Sequence, residues 1–345
     1  MVASVASQAA LSKADLGESP PSPEGGGERA VLFSFQGFDP RRLDASGLSG
    51  DAPRHLQIGR GPLQGEANRF YFDSCAIRIG SFSETVRVDV QLPADRVTLG
   101  LVLEAQEPIR VFGKALRVSN LTVLGAGEAA ECLFNAGARW VTFNLPAGEY
   151  AEAFATTDNP QIQQPRNAPR FHPDAEAVRR VRSLLADVEA SARDQPSLFG
   201  DSRWRLNAER SLRNGFLDLL EGATLLHCNW EEARVRSSIG IVRAVEARLA
   251  EDQAKIPSVG ALCQEFRLSR RTLERAFQEV TGCSPAANLR ILALNAVRRE
   301  LLAAPPEPGI VARVAVDNGF WHLGRFAGSY RALFGERPVD TLRNR

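Results

Sequence analysis

Residues 259–342 contain the same arrangement of two helices and a turn twice, and this repeat constrains the fold more than any other feature of the chain. A shift of 53 positions aligns apolar positions with apolar ones, glycine with glycine and proline with proline. The aligned pairs are Leu273 with Phe326, Phe277 with Tyr330, Val280 with Leu333, Gly282 with Gly335 and Pro285 with Pro338. Upstream the shift is 52, and a turn between the two helices can absorb the difference.

In the first copy, the sequence predicts a helix from Arg270 to Val280 with one apolar face. Its apolar residues follow the spacing i, i+3, i+4, i+7, which is typical of a helix packed on a core. These residues are Leu273, Ala276, Phe277 and Val280. Ser269 is a typical N-cap residue, because its hydroxyl can accept a hydrogen bond from a free backbone N–H group. Gly282 suits the end of the helix, and a further helix is predicted from Ala286 to Leu301.

The other face of this helix carries side chains that can contact DNA bases. Arginine pairs with guanine through two hydrogen bonds, glutamine pairs with adenine, and glutamate can accept a bond from cytosine. The candidate DNA-binding residues are Arg270, Arg271, Glu274, Arg275 and Gln278. For one isolated helix, an ordinary solvated face is the better explanation. Two such units joined by a helix favour DNA binding, because they suit two successive major-groove segments about 34 Å apart.

Residues 238–345 resemble the DNA-binding domain of the AraC/XylS family of bacterial transcription regulators. The resemblance rests on segments 268–277 and 281–285 in the first copy, and on segments 314–315, 318–320 and 326–338 in the second. It covers about a third of the chain. The segment 320–326 is in addition similar to regulators of ethanolamine-utilisation operons, which implies a small amine, with or without cobalamin, as one candidate effector.

The second copy departs from the first on the face that would contact DNA. Opposite the charged residues of the first copy stand Gly324, Ala327 and Gly328. The remaining candidate DNA-binding residues are His322, Leu323, Arg325 and Arg331. Each glycine inside a helix costs about 1 kcal/mol relative to alanine, so close approach to phosphate or contact of Ala327 with a thymine methyl would explain the departure. Equally, this helix can serve mainly to position the protein on DNA.

Composition predicts four parts along the chain. Residues 1–29 are small, polar and rich in proline and glycine, which is typical of a disordered tail, and they show no secretory signal. A β-rich effector-sensing domain (30–155) and a linker with amphipathic helices (156–235) follow. The DNA-binding domain, 236–345, contains 17 Lys and Arg against 11 Asp and Glu in a chain of net charge +1. This local basic excess suits attraction to phosphate.

Residues 30–155 are predicted to form β-structure. Short runs of β-branched and aromatic residues alternate with polar ones and are separated by glycine turns. The runs are 70–72, 76–79, 86–90, 97–103 and 140–145. Such strands are typical of a sandwich or a jelly-roll barrel, and the resemblance implies a cupin-like sensor here. The fold class is therefore multidomain α+β, with a β-barrel or cupin-like sensor domain, a helical linker and an all-α double helix-turn-helix domain.

Histidine content argues against a metal enzyme in the β-rich region. A metal cupin needs several histidines and a carboxylate around one ion, but the chain has four histidines and only His55 lies in this region. His55 is better explained as a surface or structural residue than as a ligand. There is no nucleophile elbow and no phosphate-binding loop, so the sequence predicts no catalytic residue, no metal and no cofactor.

Two amphipathic stripes, 178–188 and 212–220, lie in the linker. They can join two subunits as a homodimer or pack on their own sensor domain, and the sequence leaves both possibilities open. Five cysteines without CxxC spacing are typical of a reduced cytoplasm.

Together these features predict a cytoplasmic transcription regulator, an activator of a nearby catabolic operon. Its partners would be double-stranded promoter DNA, RNA polymerase and a small organic effector, and no apolar stretch is long enough to cross a membrane. The alternative is a β-barrel (cupin-like) enzyme or storage protein with an accessory DNA-binding tail.

Overall fold

The computed structural model describes residues 29–45, 47, 52–226, 230–251 and 257–343. The tail predicted for residues 1–29 lies, apart from Arg29, outside the described residues. No helix of the described part is long and apolar enough to cross a membrane.

The described residues form fourteen strands and twelve α-helices. The strands are β1 (Ala30–Val31), β2 (Ser34–Gln36), β3 (Ala52–Gln57), β4 (Gln64–Tyr71), β5 (Ala76–Phe82), β6 (Val86–Gln91), β7 (Arg96–Glu104), β8 (Ile109–Val111), β9 (Lys114–Leu116), β10 (Leu121–Leu124), β11 (Ala129–Phe134), β12 (Ala138–Pro146), β13 (Arg170–His172) and β14 (Thr224–Leu225). The helices are α1 (Pro40–Asp44), α2 (Ala147–Ala153), α3 (Pro160–Gln163), α4 (Ala175–Asp194), α5 (Ser202–Asp218), α6 (Trp230–Glu251), α7 (Val259–Glu265), α8 (Arg270–Thr281), α9 (Pro285–Ala303), α10 (Ile310–Asp317), α11 (Leu323–Phe334) and α12 (Pro338–Arg343).

The strands form two antiparallel sheets that pack face to face. The larger sheet has the order β1-β4-β5-β12-β7-β10-β13-β14, with β2 paired to β4, and the smaller has the order β3-β6-β11-β8-β9. Their inner faces share an apolar core, in which the rings of Phe134 and Trp140 stack with centroids 3.9 Å apart. The predicted sheet-rich N-terminal domain is confirmed, and its described strands form a two-sheet sandwich.

The outer face of the larger sheet is covered by α4 and α5. Val181 and Leu185 of α4 and Leu212 and Phe216 of α5 are buried in one cluster with the sheet. The ring of Phe216 stacks on Phe143 of β12 at 4.6 Å. Of the two possibilities for these stripes, packing on their own domain is the one observed. The same segment adds the short strands β13 and β14 to the sheet.

The C-terminal domain has the repeated architecture that the sequence predicts. Helices α7 and α8 form the first helix-turn-helix unit, α10 and α11 form the second, and α9 connects them. The Ser269 hydroxyl accepts a bond from the backbone of Thr272 at the start of α8. Gly282 and Gly335, which end α8 and α11, have φ of 72° and 77°, a left-handed conformation that glycine adopts without strain.

Helix α9 lies along the free edge of β3, the outermost strand of the smaller sheet. The Asn295 side chain accepts a bond from the backbone N–H of Gln57 (3.0 Å) and donates to its carbonyl (3.0 Å). One turn further along α9, Arg299 donates to the carbonyl of His55 (2.8 Å). An edge strand presents unpaired backbone groups, so these side chains satisfy them and attach the C-terminal domain to the sandwich.

Buried arginines strengthen this attachment. Arg298 of α9 donates to the carbonyl of Phe38 and to Glu336 (2.8 Å). Arg87 of β6 pairs with Glu246 of α6 at 2.7 Å, so α6 lies against the outer face of the smaller sheet. Apolar side chains of the sandwich and of the second unit form one continuous core.

Candidate nucleic-acid interface

Helix α8 buries one face and exposes the other, as its sequence predicts. Leu273 and Phe277 are fully buried and pack against Val242 and Val245 of α6. All five candidate DNA-binding residues of this helix are exposed to solvent. They are Arg270, Arg271, Glu274, Arg275 and Gln278. The packing of α8 therefore fixes the direction in which this polar face points, without covering it.

Two of these candidates pair with each other. Arg270 donates to Glu274 one turn along the helix (2.8 Å), and the side chains remain 76% and 48% exposed. The hydrogen bond to Glu274 raises the pKa of Arg270 above its ordinary value. Water screens an exposed pair of this kind, so either partner can exchange the other for a phosphate or a base. Sequence spacing places both residues on the DNA-facing side but does not reveal this pairing between them.

The remaining three candidates of α8 are less engaged. Arg271 makes no hydrogen bond or ion pair with any residue in the described part of the chain. Arg275 lies 3.9 Å from Glu279, a weak contact. Gln278 donates to the carbonyl of Gly282 at the helix end (3.1 Å). Arg271 and Arg275 thus present two guanidinium groups, one helical turn apart, on an open surface.

Helix α11 presents a different surface. Phe326 and Tyr330 are buried on its inner side, and the candidates on its outer side are all exposed. These are His322, Leu323, Arg325 and Arg331. A Cβ atom built on Gly324 or Gly328 would meet nothing within 4 Å. Packing inside the protein therefore does not require glycine at either position.

The sequence interpretation missed Trp321, which precedes α11. Its side chain is 70% exposed, although indole rings are usually largely buried. Together with Leu323, which is 43% exposed, it forms an apolar tip at the start of the helix. The apolar stripe of α11 did not reveal it, because Trp321 lies outside the helix and off that stripe.

The two exposed faces belong to separate units. Within the described residues, no hydrogen bond or ion pair joins a candidate on α8 to one on α11. No group of three or more His, Cys, Asp or Glu in the described chain could hold a metal ion. The arrangement can therefore make hydrogen bonds and ionic contacts through α8. Through α11 it can make apolar contacts with Leu323 and ionic contacts with Arg325 and Arg331.

Residues 262–344 match a family described as a helix-turn-helix domain. Over 104 residues the chain is 35% identical to the probable thc operon regulatory protein of Rhodococcus erythropolis, which covers 30% of this chain and 31% of that protein. Over 88 residues it is 38% identical to XylDLEGF operon transcriptional activator 1 of Pseudomonas putida, covering 26% and 27% of the two chains. The chain thus matches less than a third of the length of these two curated relatives.

Among solved structures, the AraC-like transcriptional activator CuxR aligns with a TM-score of 0.42 at 13% identity, over 76% of this chain and 94% of that one.

Proposed function

We propose that this chain is a sequence-specific transcription regulator that responds to a small organic effector. Its C-terminal domain is a helix-turn-helix domain homologous to those of AraC/XylS-type operon regulators. The observation that supports this most directly is the exposed face of α8. Its neighbours in the fold bury every apolar side chain of the helix stripe and leave the arginines uncovered.

Each exposed residue has a role that its chemistry suggests. Arg271 and Arg275 read guanine, and Gln278 reads adenine, because each can form two hydrogen bonds with its base in the major groove. Arg270 and Glu274 exchange their mutual pair for contacts with phosphate and cytosine.

On the second unit, Leu323 contacts a thymine methyl group. His322, Arg325 and Arg331 contact the phosphate backbone and position the protein.

The finer features of the proposal concern the whole protein. Its operon relatives support an activator, which would also contact RNA polymerase. The sandwich senses the effector, and a homodimer would allow two operator half-sites to be read. An effector acts only if it binds the DNA-competent arrangement more tightly than the other. Proteins of this kind act on DNA in the cytoplasm and are not enzymes.

The test is binding of the full chain to DNA from upstream of its own gene and of the adjacent operon, measured by fluorescence anisotropy at several salt concentrations. We expect binding that prefers one fragment over shuffled DNA and weakens steeply with salt, because each phosphate contact releases counterions. The Arg271→Ala variant should lose the preference. The matched control is Arg179→Ala, which removes an arginine that is 72% exposed on α4 of the sandwich.

Equal affinity for specific and shuffled DNA at every salt concentration would reduce the domain to a non-specific DNA-binding module. Equal losses in the Arg271 and Arg179 variants would remove α8 from the interface.

A further inference from the structure

Trp321 is a one-residue insertion in the second helix-turn-helix unit. The turn of each unit contains a left-handed residue, Arg267 (φ 52°) in the first and Gly319 (φ 81°) in the second, and these lie 52 positions apart. The N-cap residues that follow, Ser269 of α8 and His322 of α11, lie 53 positions apart. The second unit therefore has one additional residue between its turn and its helix.

Backbone hydrogen bonds show which residue is the additional one. The N–H of Leu268 donates to the carbonyl of Cys263 (3.0 Å), and the N–H of Phe320 donates to the carbonyl of Ala315 (2.9 Å). Leu268 and Phe320 are thus equivalent, and each packs on an apolar core. In the first unit the N-cap follows Leu268 directly, so Trp321, which follows Phe320, has no counterpart there.

The inserted tryptophan is held at a fixed place but is not packed. On one side of it Phe320 is buried, and its ring lies 5.1 Å from that of Phe326. On the other side the carbonyl of His322 accepts a bond from the N–H of Phe326 (3.0 Å). Between them, the Trp321 side chain is 70% exposed and makes no hydrogen bond or ring contact with the part of the chain that the structure describes. Packing inside the protein therefore gives no reason for this indole ring.

The charge around Trp321 is complementary to that of DNA. Residues 318–335 contain no Asp or Glu. The side chains of Arg325 and Arg331 are exposed, and neither makes an ion pair with a described residue. Arginines left without acidic partners on an open surface attract phosphate. The apolar tip formed by Trp321 and Leu323 is thus surrounded by positive charge.

The side chains next to the tip are short. Gly324, Ala327 and Gly328 carry nothing longer than a methyl group, and a Cβ atom on either glycine would meet open space. In helix-turn-helix proteins the residues at the start of the second helix contact the base edges. No long side chain at these positions would hold the start of α11 away from the bases.

The chemistry of the tip matches one group in the major groove. Among the base edges, the C5-methyl group of thymine is the apolar one. Leu323 has no hydrogen-bonding group in its side chain, and the indole of Trp321 has a single donor, which suits the O4 of thymine. Successive base pairs are about 3.4 Å apart, so one indole ring can cover the methyl groups of two neighbouring thymines.

We propose that Trp321 is the specificity-determining residue of the second unit and that it recognises two neighbouring thymines through their methyl groups. Leu323 extends the apolar contact, and Arg325 and Arg331 hold the phosphate backbone on either side. This inference rests on the proposed function for the binding of DNA. It adds that the first unit recognises bases by hydrogen bonds and the second by apolar contact.

The test compares two versions of the upstream DNA fragment that the full chain prefers over shuffled DNA, one synthesised with dTTP and one with dUTP. Uracil pairs as thymine does but lacks the methyl group. The dissociation constants of the wild type, Trp321→Ala, Trp321→Phe and Leu206→Ala are measured by fluorescence anisotropy. The matched control is Leu206→Ala, which removes an apolar side chain that is 51% exposed on α5 of the sandwich.

We expect the wild type to bind the thymine version more tightly than the uracil version. Burial of one methyl group is worth about 4-fold in affinity and burial of two about 15-fold. Trp321→Ala should reduce the thymine-to-uracil ratio by about that 15-fold, Trp321→Phe should reduce it by a smaller factor, and Leu206→Ala should leave it unchanged. All variants should melt at the wild-type temperature, because the substituted side chains are exposed.

A thymine-to-uracil ratio that is the same in the wild type and in Trp321→Ala would refute this inference, even if the variant binds both versions more weakly. A loss that does not depend on the methyl group is a general contact, not recognition of a base. A wild type that binds the upstream fragment no better than shuffled DNA would instead refute the proposed function, and this inference with it.

Discussion

Replacement of Asn295 by leucine should destabilise the protein because it uncovers two backbone groups at once. The Asn295 side chain makes a hydrogen bond with the N–H and with the C=O of Gln57, each at 3.0 Å, and both residues are almost completely buried. A buried backbone group left without a partner costs about 1–3 kcal/mol. Two groups give roughly 2–6 kcal/mol, and we expect about 3 kcal/mol because water can reach a strand edge when α9 shifts. Leucine has a similar volume, so little of the loss comes from packing.

The assay is urea unfolding of the full chain, followed by far-UV circular dichroism and by tryptophan fluorescence. With an m-value of about 3 kcal/mol per molar urea, the midpoint should fall by about 1 M. Asn295→Asp keeps the acceptor for the Gln57 N–H but places a charge against its carbonyl, so it should be at least as unstable as the leucine variant. The control is Arg290→Ala, an exposed position on the same helix, which should change stability by about 0.5 kcal/mol or less. Leucine and aspartate variants as stable as this control would refute the role assigned to the edge of β3.

Three further outcomes are expected. Arg271→Ala or Arg275→Ala should weaken operator binding by about 1–3 kcal/mol, roughly 5- to 150-fold, with no change in melting temperature; an equal loss on base-substituted operators would make them phosphate contacts. Unfolded histidine takes up a proton near pH 6.5, but buried His55 does so only near pH 4. The free energy of unfolding should therefore be unaffected by this residue above pH 6.5 and should fall by roughly 3 kcal/mol as the pH is lowered to 4. In urea titrations, His55→Gln should lack this part of the pH dependence. Gly328→Ala should stabilise the protein by about 1 kcal/mol, because the added methyl group meets open space. If α11 approaches DNA closely, the same variant should bind DNA more weakly. Unchanged affinity in an anisotropy titration would assign this helix to positioning alone.

Local sequence signals predicted the DNA-binding units well. The cap at Ser269, the left-handed turn at Gly282 and the stripe around Phe277 depend on residues within one or two turns of each other, so their spacing in the sequence is their spacing in space. Five strands, β4 to β7 and β12, overlap the predicted runs for a similar reason, since alternation along a strand reports which residues share a face. The same reasoning found the connecting helix within two residues of its observed ends.

The contacts between the domains could not be predicted in this way. Gln57 and Asn295 are 238 residues apart in the chain, and Phe38 and Arg298 are 260 apart. Only the register of the sheet shows that Arg69 and Arg78 are opposite each other, and a shift of one residue would reverse the face they occupy. One signal was available: Asn288, Asn295 and Arg298 interrupt the apolar side of α9, and buried polar side chains on a helix need partners.

The continuous core of the sandwich and the second unit has a consequence for the order of folding. The rings of Phe38 and Phe334 stack with centroids 6.0 Å apart, although nearly the whole chain separates them. The first unit has a core of its own around Phe277 and Val242, whose residues are near neighbours in sequence. Local contacts form early and distant ones late, so the first unit can fold as soon as it leaves the ribosome. The second unit completes its core only on a sandwich already formed, and during synthesis the two copies of the same motif mature at different times.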